Sequence, residues 1–129
     1  MPLEDYVRTA RVVRWVDGDT LVVDVDLGYG VWKHGEHLRL VGAQGPVWAH
    51  ELDDPDPARR TLAVAAKVRA KTWAPGGTSV RVRTFAPRPE TFGRYLAIVW
   101  PMFSADPLDV GERLVAHGLA GRTKKWWQG

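Results

Sequence analysis

Apolar and polar positions alternate from the start of the chain. Between residues 8 and 25, Val12, Trp15 or Val16, Leu21, Val23 and Val25 fall on one side of an extended backbone. Side chains of a strand alternate between faces, so this period of two predicts half-buried strands. "DGD" at 17–19 interrupts the run. Asp-Gly between two apolar runs is a strong hairpin signal. Strands are therefore predicted over 9–16 and 20–27, with Gly28 and Gly30 in a turn or bulge before a third strand over 36–42.

The period then becomes helical. In "DDPDPARRTLAVAAKVRAKTWAPGG", Asp56 or Asp54 can cap, Pro57 suits the first turn, and Gly76-Gly77 ends the helix. Leu62, Ala65, Ala66, Val68 (or Arg69) and Trp73 are spaced for an inward face, with Arg59, Arg60, Lys67 and Lys71 over the rest. "TSVRVRTF" at 78–85 alternates again, with Val80 and Val82 inward and Arg81 and Arg83 outward. "APRPETFG" reads as a proline-rich loop and "RYLAIVW" at 94–100 as a fifth strand. "DPLDVGERLVAHGLA" predicts a short helix with Val110, Leu114 and Leu119 inward and Gly118 at its end. The tail, 122–129, has no pattern. Three strands, a helix, two strands and a helix fit a small barrel with helices, mainly β in an α+β arrangement.

Composition narrows the class. A chain of 129 residues is expected to form one domain over 1–129. It has no cysteine, which excludes disulfides, thiol catalysis and cysteine–zinc sites. No run approaches the ~18 apolar residues of a membrane span. The N-terminus carries early acids and no apolar core of a signal peptide, so a cytoplasmic location without membrane attachment is expected. The net charge of +3 favours a polyanionic partner.

"RVVRWVDGDTLVVDVD", "LRLVGAQGP", "FGRYLAIV" and "GERLVAHGLA" occur in that order over about residues 8–121. In these pieces the chain resembles the staphylococcal-nuclease (thermonuclease-like) family. The resemblance implies a five-stranded OB-fold Greek-key barrel with two to three helices, and phosphodiester chemistry. It implies a calcium site of three carboxylates beside two arginines. The DGDT carboxylate falls on Asp19, and the arginines fall on Arg39 and Arg94. The two other acids belong in the turn after the "RL.G" strand. With Pro46 as anchor, the second metal ligand falls on Gln44, and the acid that activates water falls on Val47.

Those departures change the chemistry. Calcium takes six to eight hard oxygens, several of them charged. Three carboxylates and two arginines leave one net negative charge for a cation; Asp19 with Arg39 and Arg94 leaves one net positive charge. Gln44 offers only a neutral carbonyl, and Val47 neither takes nor orients a proton. The expectation is a catalytically impaired, nuclease-like domain without metal. It grips nucleic acid or another phosphate-bearing partner through a two-arginine fork, with Asp19 as ion-pair partner. Two alternatives stand beside it: an active calcium-dependent endonuclease, in which Glu51 swings into the vacant place, and a protein–protein module on the same barrel.

Other residues extend the expected nucleic-acid surface. Arg81 and Arg83 share an outward strand face, Trp48 (like Trp32) borders the presumed site, and Lys124 and Lys125 open a "KKWW" tail. Aromatics beside cations suit stacked bases. Trp15, Trp73 and Trp100 sit in element patterns and are expected in or near the core. Asp17 reads first as a turn residue and second as a support for Asp19. His34 and His37 read as a solvated loop, His50 and Glu51 as loop neighbours that do not act as a pair, and His117 as a helix-end cation.

Overall fold

The computed structural model of the protein describes residues 6–85 and 93–128. Five long strands close a mixed barrel: β1 (Val7–Asp17), β2 (Thr20–Gly28), β3 (Val31–Gly42), β5 (Ser79–Thr84) and β6 (Arg94–Pro101). A two-residue strand, β4 (Gly45–Pro46), folds back on the end of β3. β1 pairs with β2, β2 with β3, β3 with β6, β6 with β5 and β5 with β1. All these pairings are antiparallel except β3 with β6, which run parallel. This is an OB-fold-like barrel with two helices, α1 (Pro57–Trp73) and α2 (Val110–Ala116).

Alternation places the core as expected. Val12, Trp15, Leu21, Val23, Leu38, Leu40, Val80, Val82, Ala97 and Val99 fill the barrel. Trp15 faces inward and Val16 outward, and the Trp15 Nε1–H donates to the Ala74 carbonyl at 2.8 Å. Trp100 departs from expectation: it is half-buried on the outer face of β6, directly across from Arg81. The third strand begins at Val31 rather than near residue 36. The turn between β2 and β3 is tight, with Tyr29 and Gly30 both at positive φ, so little chain remains for a loop. His34 and His37 therefore lie within a strand, not a loop, and Gly35 accommodates a φ of 71° there.

Helix α1 is capped by Asp56, whose carboxylate accepts from the Arg59 amide, with Pro57 in the first turn. It ends at Trp73, before the Gly76-Gly77 pair. Its inward face is Ala63, Ala66 and Ala70, while Leu62, Val64 and Val68 are exposed. The reason is distance. A Cβ added to Gly18, in the β1–β2 turn, would lie 2.7 Å from the Ala66 Cβ, so only small residues fit where helix meets barrel. The "APRPETFG" loop reading falls almost wholly on 86–92, outside the described residues.

The patternless tail is docked. Trp48 and Gly121 exchange backbone hydrogen bonds at 2.9 and 3.0 Å. A short 3-10 turn at Trp126–Gln128 brings both Trp126 and Trp127 rings to 4.9 Å from the His50 ring.

Helix α2 approaches β3 as closely as α1 approaches the turn. A Cβ on Gly111 would meet the Val41 carbonyl oxygen and Val47 Cγ2, each at 2.9 Å. Helix propensity alone favours alanine there by ~1 kcal/mol, but the backbone contact cannot yield. Gly111→Ala is expected to destabilise the protein by roughly 1–3 kcal/mol, read as a lower urea midpoint. A raised midpoint would show that α2 has room to move.

Candidate functional site

A cleft of about 470 Å³ opens where the β1–β2 turn, the end of β3, the chain after β4 and the start of β6 converge. Asp17, Asp19, Arg39, Val47, Trp48, Glu51, Arg94 and Lys124 all line it. The hairpin places Asp19: its amide donates to the Asp17 Oδ1 at 3.0 Å, and its carbonyl accepts from the Leu40 amide at 2.8 Å. The strand register then sets Thr20 opposite Arg39.

Asp19 and Arg39 are both buried, and Arg39 Nη2 lies 3.4 Å from Asp19 Oδ2. The same Oδ2 accepts the Ala49 amide at 3.0 Å, and Oδ1 accepts the Thr20 hydroxyl at 3.3 Å. Arg39 Nη1 donates to the Leu40 carbonyl at 2.9 Å, and the guanidinium carbon sits 4.6 Å from the centroid of the Trp48 ring. The guanidinium is thus held by carboxylate, carbonyl and indole together. Of its five N–H donors, some remain for a ligand.

Burial dominates the electrostatics of Asp19. It pushes the carboxyl from 3.8 up to about 7, Asp17 raises it further, and Arg39 and the Ala49 amide pull the other way. Glu51 is also raised, first by desolvation and then by Asp17 and Asp53, while Arg39 and Arg94 oppose the rise. The cleft thus holds three acids and three cations, and two of the acids have raised carboxyls.

The turn after β3 has acids of a different origin. Asp109, the N-cap of α2, accepts the Ala43 amide on Oδ2 at 3.0 Å and the Glu112 amide on Oδ1 at 3.0 Å. Glu112 accepts the Gln44 amide on Oε2 at 3.2 Å and pairs through Oε1 with Arg122. Arg122 also donates to the Gly45 and Pro46 carbonyls. Gly42 leaves room for Glu112, since a Cβ there would overlap its carboxylate. α2 and the tail thereby pin the turn through its backbone. Hydrogen bonding to Arg122 keeps the Glu112 carboxyl low, and burial pushes the Asp109 carboxyl up.

Of the residues singled out in the sequence, Asp19, Arg39, Arg94, Val47, Trp48, Glu51 and Lys124 meet in this cleft. Val47 is a buried core residue at its wall. Gln44 is exposed and does not line the cleft. Lys125 is exposed and does not line the cleft, and Arg81 and Arg83 lie on the outer face of β5. The sequence offered Asp17 first as a turn residue and second as a support for Asp19. The same DGD spacing that positions Asp19 also brings Asp17 to the cleft.

The donor set does not fit calcium. Asp19 already accepts from Ala49 and Thr20 and pairs with Arg39, Gln44 does not line the cleft, Val47 supplies no oxygen, and Asp17 and Glu51, though they line the cleft, form no metal-holding group with Asp19. Among the described residues no three histidine, aspartate or glutamate side chains are arranged to hold a metal ion. Nor, among them, is any helix long and apolar enough to cross a membrane. Comparison with protein-family models and with curated proteins gives no match.

The raised Asp19 carboxyl has a signed consequence. Below 3.8 the group is protonated in both folded and unfolded chains. Above that value the unfolded chain releases a proton that the native state keeps. Its contribution to stability therefore falls as pH rises towards about 7, by at most about 1.4 kcal/mol per pH unit. Asp19→Asn is expected to flatten the decline in unfolding free energy between about pH 4 and about pH 7, measured by urea titration at several pH values. Equal slopes for variant and parent would place the Asp19 carboxyl in its ordinary range.

Proposed function

We propose that this protein binds the phosphodiester backbone of nucleic acid in the cleft, gripping phosphate with Arg39 and Arg94 and without cleaving it. The observation that carries the reading is the state of Arg39, a buried guanidinium fixed between Asp19 and Trp48 and still lining an open cleft. A held guanidinium loses little side-chain entropy on binding, and its planar fork matches two phosphate oxygens. Arg94 and Lys124 line the same space. The Asp19 carboxyl, raised to about 7, reduces the negative charge that a phosphate would meet. The motif resemblance to nuclease barrels supports the same ligand class. The missing turn acids support binding over cutting.

A second reading follows from Glu51. It lines the cleft with both arginines, and burial with Asp17 and Asp53 raises its carboxyl, which strengthens it as a proton acceptor. In that reading Glu51 takes a proton from water while the arginines hold the scissile phosphate.

Fluorescence anisotropy with a labelled oligonucleotide tests the first reading. Arg39→Gln and Arg94→Gln are each expected to weaken binding at least tenfold, or about 1.4 kcal/mol. Binding should tighten as pH falls through about 7, where Asp19 takes up its proton. Undiminished affinity in both variants refutes the phosphate fork. Oligonucleotide cleavage that Glu51→Gln abolishes would instead select the second reading.

A further inference from the structure

A ligand strand longer than the cleft must leave it somewhere, and the barrel offers a continuous way out. The outward residues of β6 are Arg94, Leu96, Ile98 and Trp100. The register sets Ile98 across from Arg83 and Trp100 across from Arg81 on β5. A second hollow of about 320 Å³ shares Val41, Pro46 and Leu96 with the cleft, and adds Ile98, Arg83 and Phe85. A third, of about 750 Å³, lies one register step further along, lined by Val7, Arg81, Trp100, Pro101, Met102 and Phe103. Cations and rings therefore alternate from Arg94 outward through Phe85, Arg83, Trp100 and Arg81 to Phe103.

Three details point to a ligand. Phe103 is fully exposed and holds a φ of 62°, so neither burial nor backbone preference accounts for a phenyl ring there. The guanidinium of Arg83 stacks 5.1 Å from the Phe85 centroid, and its Nε is buried without a hydrogen-bond partner among the described residues. Neither hollow is lined by an aspartate or glutamate among the described residues.

We infer that the outer face of β5 and β6 is a track for single-stranded nucleic acid leaving the cleft, with Arg83 and Arg81 on successive phosphates and Phe85, Trp100 and Phe103 under unstacked bases. The inference rests on the phosphate reading of the cleft. Outward positions two residues apart on a strand are about 7 Å apart, a repeat close to that of phosphates along an extended strand. Rings can stack on bases only when those bases are unpaired, which favours single strands over duplex. The absence of acids from the two hollows that hold Arg81 and Arg83 favours a polyanion over a protein partner, whose surface would carry both signs.

Binding of a dinucleotide and of an oligothymidylate of about 12 nucleotides separates track from cleft. The short ligand reads the cleft alone. The longer ligand is expected to bind more tightly, and only its affinity should fall in Arg81→Gln/Arg83→Gln and in Phe103→Ala. The arginine pair should lower the slope of log affinity against log salt by about 1.4, at about 0.7 per phosphate contact. Phe103→Ala should cost about fivefold or more, and its full exposure makes misfolding an unneeded explanation. Unchanged oligomer affinity in both variants, with normal dinucleotide binding, overturns the track and leaves the cleft standing. Failure of both ligands to bind the parent protein overturns both. Equal competition by a duplex of the same length overturns the assignment to single strands. Self-association lost in Phe103→Ala, without oligomer binding, would reassign the face to a contact between copies.

Discussion

The buried ion pair between Asp19 and Arg39 ties together everything that faces the cleft. Asp19 belongs to the β1–β2 hairpin, Arg39 to β3, and the Ala49 amide and Trp48 ring that complete the cluster belong to the chain after β4. Three segments distant in sequence are thus fixed by one carboxylate and one guanidinium. A pair this deep is costly to desolvate, and its geometry must compensate through additional hydrogen bonds. Here those come from backbone and hydroxyl donors on the carboxylate and a carbonyl acceptor for the guanidinium. The arrangement also decides what the cleft can attract. In the phosphate reading, a carboxylate already paired with Arg39 has less to offer a hard cation, and the guanidinium it holds in place is the host for an anion.

The turn after β3 shows how a backbone shape persists without its own acids. Its amides at Ala43 and Gln44 are satisfied from α2, by Asp109 and Glu112. Arg122 closes the circuit by binding Glu112 and the Gly45 and Pro46 carbonyls. The tail therefore helps to shape the cleft wall as well as carrying Lys124 to its edge. Stacking of Trp126 and Trp127 on His50, with Arg59 of α1 5.0 Å from the Trp127 ring, extends that support to the helix.

Much of the barrel was legible because strand alternation is local. Val12, Leu21, Val23, Val80 and Val82 announce their faces within a few residues, and the Asp56 cap and Gly118 stop do the same for helices. The inward face of α1 was not legible, because close approach at Gly18 selects alanines over the larger Leu62 and Val68. Nor was the docked tail, whose partners His50, Gly45 and Glu112 share no local period with it. In the cleft, the motif spacing brought Asp19, Arg39 and Arg94 to one place. Gln44 is exposed and outside the cleft lining, while its amide is pinned by α2. Glu51, offered by the sequence only as an alternative for the vacant place, lines the cleft because of how the chain after β4 packs, which no local pattern encodes.

The central claim is that Asp19 serves Arg39 and not a cation. Carbon-13 NMR of the aspartate carboxyls during separate titrations with calcium and with inorganic phosphate tests it most directly. The account expects the Asp19 carboxyl resonance to stay in place through millimolar calcium, while phosphate shifts the Arg39 guanidinium resonances. A saturable calcium shift at Asp19, lost on adding chelator, would contradict it.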